Sequence, residues 1–571
     1  MRNNGGYRFE SCGGVDALGR ILPSRKEVGP PRKDRYVGLF YFLWLGQHGT
    51  EGPHDNTRIA AESPEAVRDS GHPAWGPAEA YHFWGEPLYG YYLNDDEWVL
   101  RKHVQLLTAA GVDFLVFDTT NAVTYKNVYD RLFRILDEIG SQGFDVPRFA
   151  FYTNTESGRT VAEIYEDVYK AGRYRHLWFH WKGKPLIIGD PDQCAEEHRS
   201  FFTFRLNQWP NEAAKTNGFP WIEFQRPQRV FYNDEGEKET ISVSVAQHPS
   251  VAMSDTPFYG YGDNWGRGFQ ANASHEEACS EEAIARGANV EEQWAFALAE
   301  DPSVVFVTGW NEWIAMRLRG PAERPVLFVD QATLNFSRDI EPMKGGYGDN
   351  YYMQLIANIR RFKGLPDDTA ASFRLPKAIP IGPDFAPWAA VSAEYADFRG
   401  KTRPRNHPGY GGLHYANDTG RNELVAFKTA HSDDKVYFYA GTAADLVPGQ
   451  GDDPWMMLLI RVEGREDTGW EGFHYVVNRR TGNGAAMLER SLGGWRWEPV
   501  AEVRQAAKGN ELHLEIPRAC LGLSKAARER RLAFKWADHM KNEGDAMDFY
   551  QFGDVAPIGR LHYVYSIPAG E

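Results

Sequence analysis

Cysteine is scarce in this chain: four in 571 residues, Cys12, Cys194, Cys279 and Cys520. They lie far apart and match no zinc-ligand spacing, so a disulfide framework and a structural zinc site are both excluded as organising features. No apolar run reaches 18 residues, which leaves nothing to span a bilayer as a helix. The first residues, MRNNGGYRFESCGG, lack the apolar core of a secretion signal. That predicts a cytoplasmic protein, or a secreted one whose leader has been removed. Positive charge is also in deficit, with 63 Lys and Arg against 78 Asp and Glu and a net charge of −15. A nucleic-acid partner is therefore not expected. Internal repeats and low-complexity tracts are absent too.

What the chain does have is length, aromatics and glycine. At 571 residues it exceeds a single core, so more than one domain is expected. Aromatics make up 14 %, including 18 Trp and 28 Tyr. Flat rings with a polar handle suit the C–H faces of sugars, and they also serve as β-rich core.

The pattern along the chain predicts α/β plus all-β. Residues 1–35 read as a polar N-terminal arm. YVGLFYFLWLG at 36–46 is a continuous apolar run of the kind that makes a strand buried on both faces. Residues 47–94 form a long segment dense in Gly, Pro, His and aromatics, as functional loops are. Helix and strand then alternate, with helices over 98–110, 127–143, 159–171, 289–301 and 349–364. Strands are expected at 112–118, 148–154, 185–190, 219–224, 241–247, 304–313 and 326–330. Eight strands alternating with helices over 36–370 predict a (β/α)8 TIM barrel. A doubly wound sheet would carry a Gly-rich phosphate turn after its first strand, and LWLGQHGTEGPH is not one. Prolines 376, 380, 383 and 387 mark a linker, placed at 371–384. Short strand-like runs at 436–442, 455–462, 473–479, 495–503, 511–517, 531–539 and 561–566 then predict an antiparallel β-sandwich over 385–571.

A (β/α)8 barrel keeps its chemistry at the C-terminal ends of its strands. The polar residues there are His48, Asp118, Asn154, Asp190, Glu223, His248, Asn311, Glu312 and Asp330. Carboxylates lead the set, and glycosidic cleavage needs two: one to protonate the leaving oxygen, one to attack the anomeric carbon or activate water. Glu312, in GWNEW between two Trp, is the first catalytic candidate, since an indole wall raises a carboxyl toward general-acid duty. Pairing with Arg317 or Arg319 is the structural alternative. Asp118 and Glu223 are candidates for the opposite carboxylate, with a turn cap and an Arg226 salt bridge as their respective alternatives. Trp44, His48, Trp84, Asn121, Asn154, His248, Trp310, Asn311 and Trp313 are expected to contact substrate. So are Asp255, Tyr261, Trp265 and Arg267, from the Gly-rich, aromatic stretch SDTPFYGYGDNWGRGF. Catalysis of this kind requires no cofactor.

The segment GWNEW resembles glycoside hydrolase family 99, which acts on α-mannosides, its neighbour family 71, and related barrels of polysaccharide-biosynthesis loci. The resemblance is carried by Asn311-Glu312-Trp313, then Ile340-Glu341-Pro342, then Tyr347-Gly348, and in layout it spans roughly 36–364. It implies a catalytic role for Glu312. Family 99 places a second catalytic glutamate, its general acid, three residues further on. Here that position is Ala315, so the partner must come from another strand, unless the chain only binds glycan or serves polysaccharide assembly.

Downstream, VYFYAGT (436–442), DTGWEGFHYVVNR (467–479), LERSLGGWRWEPVAEV (488–503), GNELHLEIPRACLGL (509–523) and FKWADH (534–539) resemble carbohydrate-binding module family 9. That resemblance implies a sugar-binding sandwich, in some members with a structural Ca2+ for which Asp452, Asp453 and Asp467 supply oxygen ligands. Trp388, Trp455 and Trp495 are its candidate stacking residues. The expected ligand throughout is an oligo- or polysaccharide.

Overall fold

The computed structural model describes residues 9–260, 262–366, 371–449, 453–465, 469–480, 486–523 and 529–569. Its first half is a nearly closed barrel of parallel strands. The eight are β1 (Tyr36–Tyr41), β2 (Phe114–Thr119), β3 (Arg148–Thr153), β4 (Lys184–Ile188), β5 (Thr203–Gln208), β6 (Gly218–Pro220), β7 (Lys238–Ser244) and β8 (Val304–Thr308). Their order around the sheet is β6-β5-β4-β3-β2-β1-β8-β7, every neighbouring pair parallel. Between β6 and β7 the ladder is replaced by a short strand, Phe231–Tyr232, antiparallel to β7. Tyr232 accepts a hydrogen bond from the Asn217 amide at 2.9 Å, so this strand seals the seam.

Period-two alternation explains the two layers. Phe114 and Val116 of β2, Ala150 and Tyr152 of β3, Leu186 and Ile188 of β4, and Val304 and Phe306 of β8 share one apolar cluster, the barrel interior. Leu115, Phe117, Phe149, Phe151 and Val305 point the other way, against the helices. The helices are α1 (Glu97–Ala110), α2 (Lys126–Ser141), α3 (Ser157–Ile164), α4 (Glu196–Phe201), α5 (Ala288–Glu300) and α6 (Asn350–Lys363). The start of α1 is fixed by Asp96, whose carboxylate accepts from the amides of Trp98 and Val99. Its end is fixed by Gly111 in the left-handed conformation at φ 80°.

Two expectations change. VLFVD at 326–330 is not a barrel strand: Val326–Leu327 pairs with Leu318–Arg319 in a small surface hairpin. The strand missing from the sequence reading is β5, TFRLNQ, whose buried Arg205 and Gln208 disguise it. Arg205 is tolerated inside because it forms a salt bridge with buried Glu239. No helix follows β5 or β6 among the described residues, so the (β/α)8 repeat is broken there.

Among its described residues the second half places eleven antiparallel strands in one continuous ladder, extended at one edge by Gly13–Gly14 from the arm, with Arg405–Pro408 and His414–Asn417 forming a separate pair. The long strand Trp497–Lys508 joins two sheets, pairing with Ala486–Ser491 through its first part and Glu511–Pro517 through its second. The sheets pack through Phe438 on Phe534, at 5.4 Å between centroids, and Phe427 on Tyr563, at 5.2 Å. The two halves are cross-tied by Arg405 to Asp96 (2.8 Å) and Arg560 to Asp349 (2.8 Å). Among the described residues no helix is long and apolar enough to cross a membrane.

Candidate active site

Alternation carries the interior face of each strand up to the barrel mouth. Continuing Phe114 and Val116 gives Asp118; continuing Ala150 and Tyr152 gives Asn154; continuing Phe40 and Phe42 gives Trp44. Glu312 arrives differently. After β8 the chain turns, and Ile314–Met316 pairs with Tyr81–Phe83 from the long 47–94 segment. Asn311 clamps the turn with both amide atoms on the Phe42 backbone, each at 2.9 Å. The Glu312 amide donates to Asp339 Oδ1 at 2.7 Å.

Glu312 is 5 % exposed. Its Oε2 accepts from Gln331 Nε2 at 2.6 Å and from Arg338 Nη2 at 3.3 Å. Its Oε1 has no hydrogen-bond partner among the described residues. Burial pushes the Glu312 carboxyl well above the usual range; Arg338 pulls it back, and Asp330, Asp339 and Asp118 push it up again. Asp339 beneath it is pushed up to about 7, by burial first. For Asp118, 8 % exposed, burial and the Asp330 charge also work upward, against a bond from the Thr120 amide at 3.0 Å.

Arg338 is the hub. Fully buried, it lies over the Trp221 ring at 5.0 Å. One Nη reaches Asp330 at 3.0 Å and Glu312 at 3.3 Å; the other meets His248 Nδ1 at 3.2 Å. Burial and this cation hold His248 down to about 4, so it is neutral at neutral pH. Asp330 moves opposite to its neighbours: desolvation raises it, but Arg338 and His248 outweigh that and hold it below the ordinary carboxylate value.

An aromatic rim surrounds the carboxylates. Trp44 meets Tyr81 edge-on at 5.6 Å and His48 at 6.2 Å. His48 Nε2 and Asn121 Nδ2 both reach the Tyr125 hydroxyl, at 2.8 and 2.6 Å. Tyr125 holds left-handed backbone at φ 53°, and Ala122 at 63°, a strain that tends to collect at functional loops. Across the opening, Asn154 Oδ1 accepts from Asn207 Nδ2 and Trp209 Nε1, each at 2.8 Å, and Trp209 meets Trp221 at 5.5 Å.

The structure thus gathers Glu312, Asp118, His248, Trp44, His48, Asn121 and Asn154 at one mouth. It does not bring the rest there. Trp84, Arg267, Trp310, Asn311 and Trp313 are fully buried and have no surface to offer a sugar. Trp84 stacks on Trp313 at 4.4 Å, Arg267 lies over Trp84 at 5.0 Å, and Trp313 Nε1 donates to buried Glu341 at 2.6 Å. Glu223 is engaged at both oxygens, by the Phe224 amide at 2.8 Å and Arg229 at 2.6 Å. Asp255 is buried against Arg324, and Trp265 is half-buried under Arg226 at 5.0 Å. Tyr261, Asp452 and Asp467 lie outside the described residues. Asp453 joins no group of three metal-binding side chains among the described residues. Tyr81, Tyr125, Trp209, Trp221, Gln331, Arg338 and Asp339 were missed, and only the aromatic content of the strand-end loops hinted at the first four.

A pocket of about 290 Å³ opens on the sandwich, lined by Trp470, Trp495, Phe549, Arg480, Asn542 and Asp545. Of the other two expected stacking residues, Trp388 is buried with its Nε1 on His513 at 2.9 Å, and half-buried Trp455 donates to the Val447 carbonyl at 2.8 Å.

No protein-family model matches the chain, and no curated protein sequence matches it. Among solved structures it is similar to the GH99 endo-alpha-mannosidase from Bacteroides thetaiotaomicron, with TM-score 0.35 and 13 % identity over 58 % of this chain and 98 % of that one. A glycoside hydrolase-like protein gives TM-score 0.32 and 13 % identity over 59 % and 95 %. Alpha-L-fucosidase isoenzyme 1 from Paenibacillus thiaminolyticus gives TM-score 0.23 and 14 % identity over 84 % and 96 %. Likeness this distant carries no chemistry.

Proposed function

We propose that this protein is a glycoside hydrolase whose barrel mouth cleaves a glycosidic bond, with Glu312 delivering the proton to the leaving oxygen. The observation that carries this is the state of one carboxyl. Glu312 is buried and raised in pKa, has Oε2 fixed by two N–H donors, and leaves Oε1 unbonded among the described residues. A buried carboxyl raised in this way, with one oxygen fixed and the other free of protein partners, suits a general acid. Asp118 and Asp330 supply negative charge alongside, and the part-exposed rings of Trp44, Tyr81 and Trp209 supply sugar-sized flat surface. No metal or organic cofactor enters the chemistry.

The test is turnover on a panel of aryl glycosides in both anomeric forms, α-mannosides included because of the family 99 resemblance at Asn311-Glu312-Trp313. Glu312→Gln is expected to cut turnover of poor leaving groups by roughly 10²–10⁴-fold, the usual weight of general acid catalysis, and to spare 2,4-dinitrophenyl glycosides, which need little acid. Full activity in the variant refutes the assignment. A purely glycan-binding protein shows tight glycan binding with no turnover in either form.

The sandwich is proposed as an accessory binding surface for the same glycan, with a ring laid against Trp495 in the pocket it shares with Trp470. A calcium ion there is part of the family 9 resemblance alone.

A further inference from the structure

The partner of Glu312 is the gap left by Ala315, and the structure assigns Asp330 to it, as the carboxylate that attacks the anomeric carbon. This rests on the hydrolase reading above. Three observations select Asp330 over Asp118 and Glu223.

The first is distance. Asp330 Oδ1 and Glu312 Oε2 meet the same nitrogen of Arg338, at 3.0 and 3.3 Å. Their nearest oxygens are therefore no more than 6.3 Å apart, the sum of those two contacts. Carboxyl groups tied to one cation in this way can both reach a single sugar, as the paired acids of a glycosidase must. The second is access. The Asp330 side chain is 45 % exposed, and its Oδ2 has no bonding partner among the described residues. Asp118 is 8 % exposed and Glu223 1 %, with both Glu223 oxygens engaged. The third is ionisation. Asp330 is the member of the group tied to a cation and held below the ordinary value, while Glu312 is held above it. Two carboxyls driven apart in this way divide into nucleophile and acid.

In the first step Asp330 Oδ2 forms a bond to the anomeric carbon as the glycosidic C–O bond breaks, and the leaving oxygen takes the proton of Glu312. In the second, water attacks the same carbon, gives its proton to the Glu312 carboxylate, and the ester bond to Asp330 breaks. The enzyme is restored and the product keeps the substrate's anomeric configuration. Arg338 is a positioning residue: it keeps Asp330 charged and both carboxyls within reach of one carbon.

The probes are 2,4-dinitrophenyl 2-deoxy-2-fluoroglycosides of the common hexoses in both anomers, applied to the full wild-type chain. The expected result is a stable adduct on the peptide spanning residues 320–338, at Asp330. Asp330→Gly is expected to lose at least ~10³-fold in turnover of dinitrophenyl glycosides, as nucleophile variants do, with azide restoring it and giving the inverted glycosyl azide. Asp330→Asn, which preserves shape, guards against loss through misfolding. An active wild type whose label falls on another peptide, whose first product is inverted, or whose Asp330→Gly variant stays within tenfold of it, overturns Asp330 and leaves the hydrolase reading standing. A wild type with no turnover anywhere in the panel overturns both.

Discussion

The barrel mouth and the sandwich core both bury charge, and they finish it differently. In the sandwich, Lys401 gives one hydrogen each to Asp397 (3.1 Å), Asp554 (3.1 Å) and the Val555 carbonyl (2.8 Å). Three donors meet three acceptors, and the ammonium is complete. At the mouth, Arg338 is equally buried, but the carboxylates it organises each keep an oxygen without a partner, Glu312 Oε1 and Asp330 Oδ2. Saturated buried charge holds a structure together; buried charge left one contact short is poised to make that contact with something else.

Four experiments separate the two sites. The largest effect is expected from Arg338→Met, which removes the cation that holds the Asp330 and Glu312 carboxyls together: turnover falls by about 10²–10³-fold, as when an electrostatic stabiliser is deleted. Its unfolding free energy in urea is expected to change less than in Lys401→Met, because the Asp330 side chain is half-exposed and is hydrated once the cation is gone. Lys401→Met should do the reverse. It strands two buried carboxylates at a cost of about 3–5 kcal/mol, read from the urea midpoint, with turnover per folded molecule unchanged. Equal loss of activity in the two variants would erase the distinction.

The third is a pH effect with a defined sign. Asp339 sits near 7 when folded, against about 4 unfolded. Between those values the native state binds more protons than the unfolded one, so stability is lost as pH rises through that window and levels off above it. Urea midpoints from pH 4 to 8 should fall less steeply in Asp339→Asn than in the wild type. The basic limb of the activity profile, set by the Glu312 proton, should lie above the ordinary carboxylate range, as burial raises that group. Smallest is Trp495→Ala, expected to weaken binding of soluble polysaccharide by roughly tenfold, on the scale of a stacked aromatic anchor, while kcat/KM on aryl glycosides stays within twofold.

Strand parity made much of this legible beforehand. Knowing only that 112–118 is a strand puts Asp118 at the mouth, on the inner face shared with Phe114 and Val116. Glu312 was found because it follows β8 directly. Parity also misled at that point. The chain turns after Thr308, so Trp310 and Trp313 point down into the core instead of walling the site. Arg338 gave no local sign. It lies in an irregular stretch, 90 residues from His248 along the chain, and the tie between them exists only once the barrel has closed. The 326–330 run shows the same limit from the other side: an apolar run reports burial, and burial under a hairpin looks like burial in a barrel.

Gly13–Gly14 adds a strand to the edge formed by Leu561–Ile567, with Gly13 opposite His562. A ribosome makes those glycines more than 540 residues before their partner. Until that last sheet edge emerges, the arm can hold only its contacts to the barrel, such as the Cys12 carbonyl accepting from Arg360 at 2.8 Å and Phe9 against Phe144 at 5.5 Å. Cutting away the late sheet would remove this pairing and leave the arm moored by its barrel contacts alone.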